Sequence, residues 1–113
     1  GFDWDYASHV GGWDNYLYQA EGAQPEKSGT SVKPAPTIEA DGEKGIIRLL
    51  FSAQSLGNPE SLAGIQFYLS TWDGGGEGGL RSLEKEAGPF IFGGGTAEDA
   101  RIMDDTEVIK IGE

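Results

Sequence analysis

FYLSTWDGGGEGGLR, residues 67–81, decides the fold class, because a strand-like alternation runs there directly into a loop that almost only glycine can form. Ile65, Phe67, Leu69 and Thr71 fall on one side of an extended chain, and Gln66, Tyr68, Ser70 and Trp72 on the other. That is the period-two pattern of a half-buried strand. The strand runs out at Trp72 and Asp73, and within residues 74–79 only Glu77 is not glycine. Backbone with positive φ costs least there, and no side chain obstructs a neighbouring chain or a ligand.

The same alternation recurs on both sides. In GFDWDYASHV, residues 1–10, Phe2, Trp4, Tyr6 and Val10 share one face and Asp3, Asp5 and His9 the other, which predicts an opening strand. Gly11 and Gly12 turn the chain into WDNYLYQA, a second extended piece or long loop. Residues 21–36 carry little apolar content and read as an exposed excursion with a short strand near Val32. Residues 37–40 and 46–51 form the clearest hairpin, turning at Asp41 and Gly42. Its second strand, IIRLLF, is apolar on both faces except at Arg48, as in the middle of a sandwich. Gly57, Asn58 and Pro59 limit any helix in residues 53–63 to a turn or two. A short apolar strand at 89–92, the glycines at 93–95 and a closing strand from Ile102 to Ile111 complete the chain. Short β segments separated by turns predict an all-β protein, an antiparallel β-sandwich.

At 113 residues the chain reads as a single module over 1–113 with one modest core. A formal net charge of -11 argues against a nucleic-acid partner and against an anionic membrane surface, since both call for the opposite field. No apolar run approaches the length of a transmembrane helix, so no membrane insertion is expected. The absence of cysteine leaves the redox compartment open. The start at Gly1 reads as that of a processed piece of a longer chain.

Three stretches carry a family resemblance: WDYASHVGGWDNY at 4–16, SAQSLGNPESLAGIQFYLSTWDGGGEGGLRSL at 52–83, and PFIFGGG at 89–95 followed by ARIMDDTEV at 100–108. In order and approximate spacing they resemble the C-terminal binding module of bacterial glucodextranases and amylopullulanases. The resemblance covers most of the chain and implies a DOMON-like β-sandwich, of the immunoglobulin-like or jelly-roll kind. It also implies a non-catalytic module appended to secreted α-glucan-active enzymes, hence an extracellular or cell-surface location. The match is to the second half of that module, with no counterpart of its N-terminal half. Such a chain is either a shorter relative or incomplete, with open sheet edges that a companion chain, another domain or a second copy would cover.

Sugar recognition by a sandwich uses flat aromatic rings against the apolar face of a pyranose, with carboxylates and amides beside them for the hydroxyls. Trp13, Asp14, Asn15, Tyr16 and Tyr18 in the first loop, and Trp72 with Asp73 where the central strand stops, have that chemistry. Trp4 and Phe67 are assigned to the core, and Trp72 admits either core or exposed placement. Asp73, Glu77, Asp104 and Asp105 are the residues that would give oxygen ligands to Ca²⁺, the one cofactor the acidic segments admit, although none fits an EF-hand loop. Glycoside hydrolysis needs two carboxyls about 5 to 9.5 Å apart across a sugar. Adjacent Asp104 and Asp105 on a strand point to opposite faces, and no nucleophile signature accompanies them, so no enzyme is expected. The glycine loop lacks the Lys and Ser/Thr of a phosphate loop and carries Glu77, which excludes that use.

The chain therefore reads as a non-catalytic carbohydrate-binding or cell-surface-attachment module of a secreted α-glucan-active enzyme. Its ligand would be a polysaccharide of the α-glucan class or a cell-surface glycan, met by Trp72 and Asp73 acting with Trp13 and Asp14. The alternative is a structural or assembly β-module that pairs through an exposed sheet edge with another domain or copy, without glycan specificity.

Overall fold

The computed structural model describes residues 3–12, 14–72, 82–89, 91–99 and 102–112. The chain divides into two compact units, Gly1–Ser61 and Leu62–Glu113. Apart from one short 3-10 turn at Gln54–Leu56, the regular elements among the described residues are β-strands, and all but one of the strand pairs are antiparallel. The chain is all-β, consistent with a sandwich-like module.

In the first unit, β1 (Tyr6–Val10) pairs with β2 (Asn15–Gln19), and β2 with β3 (Thr30–Ser31). The register sets Tyr6 opposite Gln19, Ser8 opposite Leu17 and Val10 opposite Asn15. Because strand side chains alternate, these residues share one face, and Ala7, His9, Tyr16, Tyr18 and Ser31 share the other. Burial is concentrated on the first face at β2: Leu17 is 1% exposed and Tyr6, Asn15 and Gln19 are half-buried, although Ser8 and Val10 on that face are exposed; on the other face His9 and Tyr16 lie open and Tyr18 is half-buried. The core of this unit is small. It contains Leu17, Pro36 and Ser55, with Trp4, Tyr6, Val32, Ala35, Leu49 and Leu56 half-buried.

Ser55 is a polar residue in that core, and its hydroxyl is satisfied. It donates to the Pro34 carbonyl at 2.7 Å and so accepts from the Ser52 hydroxyl, also at 2.7 Å, while the Ser55 amide donates to Ser52 Oγ at 3.1 Å. The 3-10 turn that carries Ser55 ends at Gly57 in the left-handed region, where the sequence predicts only a turn or two of helix.

Next in the chain, β4 (Thr37–Asp41) and β5 (Ile46–Leu50) make the expected hairpin. Its turn is longer than an Asp-Gly pair. Asp41 Oδ1 accepts the amides of Glu43 and Lys44, and Gly45 takes the positive φ. The central-strand expectation for residues 46–51 is corrected: among the described residues β5 pairs with β4 alone, and Ile47 is 69% exposed.

In the second unit, the alternating stretch 65–72 is divided into β6 (Gln66–Phe67) and β7 (Ser70–Trp72). The closing strand divides likewise, into β10 (Ile102–Asp105) and β11 (Ile109–Lys110), which pair with β7 and β6 respectively. The register explains the break. Phe67 faces Ile109, but Ser70 faces Asp105, so the closing strand carries one residue more than its partner between these pairs. Thr106 sits at the irregularity: its amide donates to the Leu69 carbonyl and its hydroxyl accepts the Leu69 amide, both at 2.9 Å. Met103 is a second extra residue, between Ile102 opposite Trp72 and Asp104 opposite Thr71. The core assignment of Phe67 is also corrected, since it is 39% exposed on this two-stranded ribbon.

The remaining strands, β8 (Ser82–Leu83) and β9 (Ile91–Phe92), pair in parallel. The glycines after β9 permit close approach there. A Cβ on Gly95 would lie 2.5 Å from Leu83 Cδ2, and one on Gly93 2.7 Å from the Ala87 amide nitrogen.

Gly29 fixes the entry to β3. It has φ +101, and a Cβ there would lie 2.2 Å from the Gln19 carbonyl oxygen, a backbone atom that the β2–β3 ladder holds in place. Gly29→Ala is expected to cost about 2 kcal/mol or more, from unfavourable φ together with displaced backbone. Chemical denaturation checks this through a fall in midpoint at unchanged slope.

Candidate functional site

The open face of the β1–β2 hairpin brings three aromatic side chains together. On β2, Tyr16 and Tyr18 stand two residues apart, with ring centroids at 6.1 Å and planes inclined by 28°. His9, directly across the ladder from Tyr16, places its ring 6.4 Å from that of Tyr16 at 45°. Tyr16 is 46% exposed and Tyr18 half-buried. Two near-parallel phenol rings with their hydroxyls supply an apolar surface edged by donors and acceptors. The buried side of β2 keeps the rings outward, since turning them in would turn Leu17 out.

The other residues singled out by sequence are distributed differently. Asp14 lies exposed in the β1–β2 turn, where its carbonyl accepts the Gly11 amide at 2.7 Å. Asn15 opens β2 on the face opposite to Tyr16, and its side-chain amide donates to the Pro36 carbonyl. Its Oδ1 is buried, with no hydrogen-bond partner among the described residues. Trp72 ends β7 at 48% exposure, so of the two placements the sequence admits, the exposed one holds. Trp13, Asp73 and Glu77 lie outside the described residues. Asp104 and Asp105 are both exposed on β10. Asp105 Oδ1 accepts the Ser70 hydroxyl at 2.9 Å, and Asp104 Oδ1 accepts the Asp105 amide at 2.8 Å. Among the described residues, no three His, Asp or Glu side chains form a group that could hold a metal ion.

Two features escape a reading by residue type. His9 becomes a neighbour of Tyr16 only through the register, and the four-residue turn between Val10 and Asn15 was the available signal. Trp4, assigned to the core by its alternation, is half-buried and lines a groove with the segment 23–28. Nothing in that polar stretch signals that it folds back beside a tryptophan.

Comparison with known families then supplies a setting for this geometry. The family described as the C-terminal binding module, SLH-like, of glucodextranase matches residues 1–110. The chain belongs to this family. The match extends over both compact units, and it names a binding module rather than a catalytic domain. No curated protein and no solved structure matches the module at a significant level. Among the described residues, no helix is long and apolar enough to cross a membrane.

The two faces of β2 are expected to respond differently to truncation. Leu17→Ala should cost about 2 to 5 kcal/mol, as for a buried leucine. Tyr16→Ala, which removes an exposed cross-strand and stacking partner, should cost no more than about 1 kcal/mol. Thermal and denaturant unfolding of the two variants beside the parent chain measures the contrast.

Proposed function

We propose that the module holds an α-glucan-active enzyme on its polysaccharide or on a cell-surface glycan, outside the cell, through the open aromatic face of the β1–β2 hairpin. The observation that carries this reading is the pair of an exposed Tyr16 and a half-buried Tyr18, on the face of β2 opposite to the buried Leu17. A sugar ring laid on a phenol exchanges water on its apolar face for the ring, and the tyrosine hydroxyls remain available to its hydroxyl groups. Asp14 in the adjoining turn adds a carboxylate, Trp13 completes the aromatic series along the chain, and Asn15 anchors the start of β2 to Pro36. Trp72 and Asp73 would form a second contact at the end of β7.

The family match over residues 1–110 supports treating the chain as one module in spite of its two compact units. We further read it as a DOMON-like sandwich equivalent to the second half of a larger module, with Asp73, Glu77, Asp104 and Asp105 as the carboxylates that a Ca²⁺ ion would use. The formal net charge of -11 favours neutral glycans over nucleic acid or anionic lipid. One observation favours the assembly reading as a second function. Ile46, Ile47, Leu50 and Phe51, in and just after β5, are all exposed, an apolar set that another domain or copy could cover.

Affinity electrophoresis through gels containing soluble α-glucans separates the two readings. The parent chain should be retarded, and Tyr16→Ala should abolish most of the retardation while leaving the far-ultraviolet circular dichroism unchanged. Unretarded migration in every glucan, together with a mass above the monomer by light scattering, would replace glycan binding with assembly.

A further inference from the structure

The first unit contains an open groove of about 590 Å³ that is separate from the tyrosine pair, lined by Trp4 and by Gln24, Pro25, Glu26 and Lys27 among others. It is a shallow hollow, largely open to solvent, of the kind that could take one face of a ligand rather than enclose it. The groove is built by a folded loop. Gln24 and Lys27 exchange both backbone hydrogen bonds, at 3.0 and 2.9 Å, which closes a tight turn with Pro25 and Glu26 at its tip. Below the turn, the Ala23 amide donates to the Ala20 carbonyl and the Ala20 amide to the Asp5 carbonyl, while the Thr30 hydroxyl donates to the Glu21 carbonyl. The backbone bonds of the turn leave the side chains of Gln24, Glu26 and Lys27 exposed and unneeded for the fold of the turn itself.

Trp4, which lines the same hollow, is half-buried, and its Cη2 is 3.5 Å from where a Cβ on Gly29 would be. That is an ordinary van der Waals distance, which places the indole alongside the entry to β3. A second, smaller hollow of about 260 Å³ involves the neighbouring residues Asp5, Tyr6, Gln19, Ala20 and Glu21. An indole that lines one hollow with a short row of amide, carboxylate and ammonium residues is a combination suited to a neutral polyhydroxylated ring. The ring takes the apolar face, and the loop side chains take the hydroxyls. It suits an anion poorly, because Glu26 stands in the row, and it is too polar for an aliphatic ligand.

We infer that Trp4 and the 24–27 turn form a second glycan subsite, with Trp4 as the stacking residue and Gln24, Glu26 and Lys27 as hydrogen-bonding partners. This rests on the binding-module reading, in that the ligand is taken to be a glycan, but it shares no residue with the tyrosine pair. Trp4 precedes β1, whereas Tyr16 and Tyr18 stand on β2, on the face of His9.

Isothermal titration of the whole 113-residue chain with maltoheptaose tests the subsite. The variants are Q24A/E26A/K27A, W4F and Y16A, each checked by circular dichroism. The triple variant keeps the backbone bonds of the turn and should bind on the order of tenfold more weakly, as expected for lost charged and amide hydrogen bonds. W4F, which retains an aromatic ring, should lose less. Unchanged affinity in both groove variants, with binding lost in Y16A, would overturn the subsite and leave the tyrosine platform standing. Binding lost in the groove variants and kept in Y16A would establish the subsite and remove the platform. Absence of heat with the parent chain would also overturn the subsite.

Discussion

The register of β2 against β1 is the constraint on which the rest of the first unit depends. Strand side chains alternate, so a slip by one residue would carry Leu17 to the open face and send Tyr16 and Tyr18 inward. Burial of Leu17 opposes that slip, and so does the Asn15 side chain, which ties the start of β2 to the Pro36 carbonyl. At the other end of the strand, Gly29 allows the chain to pass close over the Gln19 carbonyl and enter β3 in register with Tyr18 and Gln19. These contacts at the two ends and the middle of a five-residue strand hold the aromatic face in one orientation.

The second unit solves a different problem. Among the described residues its ribbon of β6 and β7 against β11 and β10 is two strands wide, and Phe67, Tyr68, Leu69 and Trp72 are exposed. Regularity yields where the closing strand carries extra residues, at Met103 and around Thr106. Thr106 keeps the polar groups of Leu69 satisfied by replacing a backbone acceptor with its hydroxyl, so the ladder bends without leaving an orphaned amide. Exposed apolar residues on both units give the chain surfaces of the kind used in binding or assembly.

Much of the fold was legible in the sequence, because period-two alternation and turn residues are local properties. Residues 6–10, 37–41 and 46–50 form strands, as their patterns predict, and the glycine and asparagine at 57 and 58 end a turn as expected. What failed depended on partners. The pattern at 65–72 describes one unbroken strand, but the break comes from extra residues some forty positions away on the closing strand. IIRLLF has the composition of a central strand, yet nothing in its own residues says how many neighbours it will have. At the site, chemistry singles out Tyr16 and Tyr18 in a first loop, whereas the register sets them on β2, with Asn15 on the other face. Trp4 shows the limit of reading aromatics on strands as core: a loop of polar residues determines what one of its sides meets.

The central claim is that a hairpin that buries Leu17 on one side presents Tyr16 and Tyr18 to a glycan on the other. Residue-resolved NMR during titration with a soluble α-glucan addresses it most directly. The account predicts saturable shifts at the ring signals of Tyr16 and Tyr18 and at His9, with the methyl signals of Leu17 unmoved. Saturable binding that leaves both tyrosine rings unshifted would contradict it.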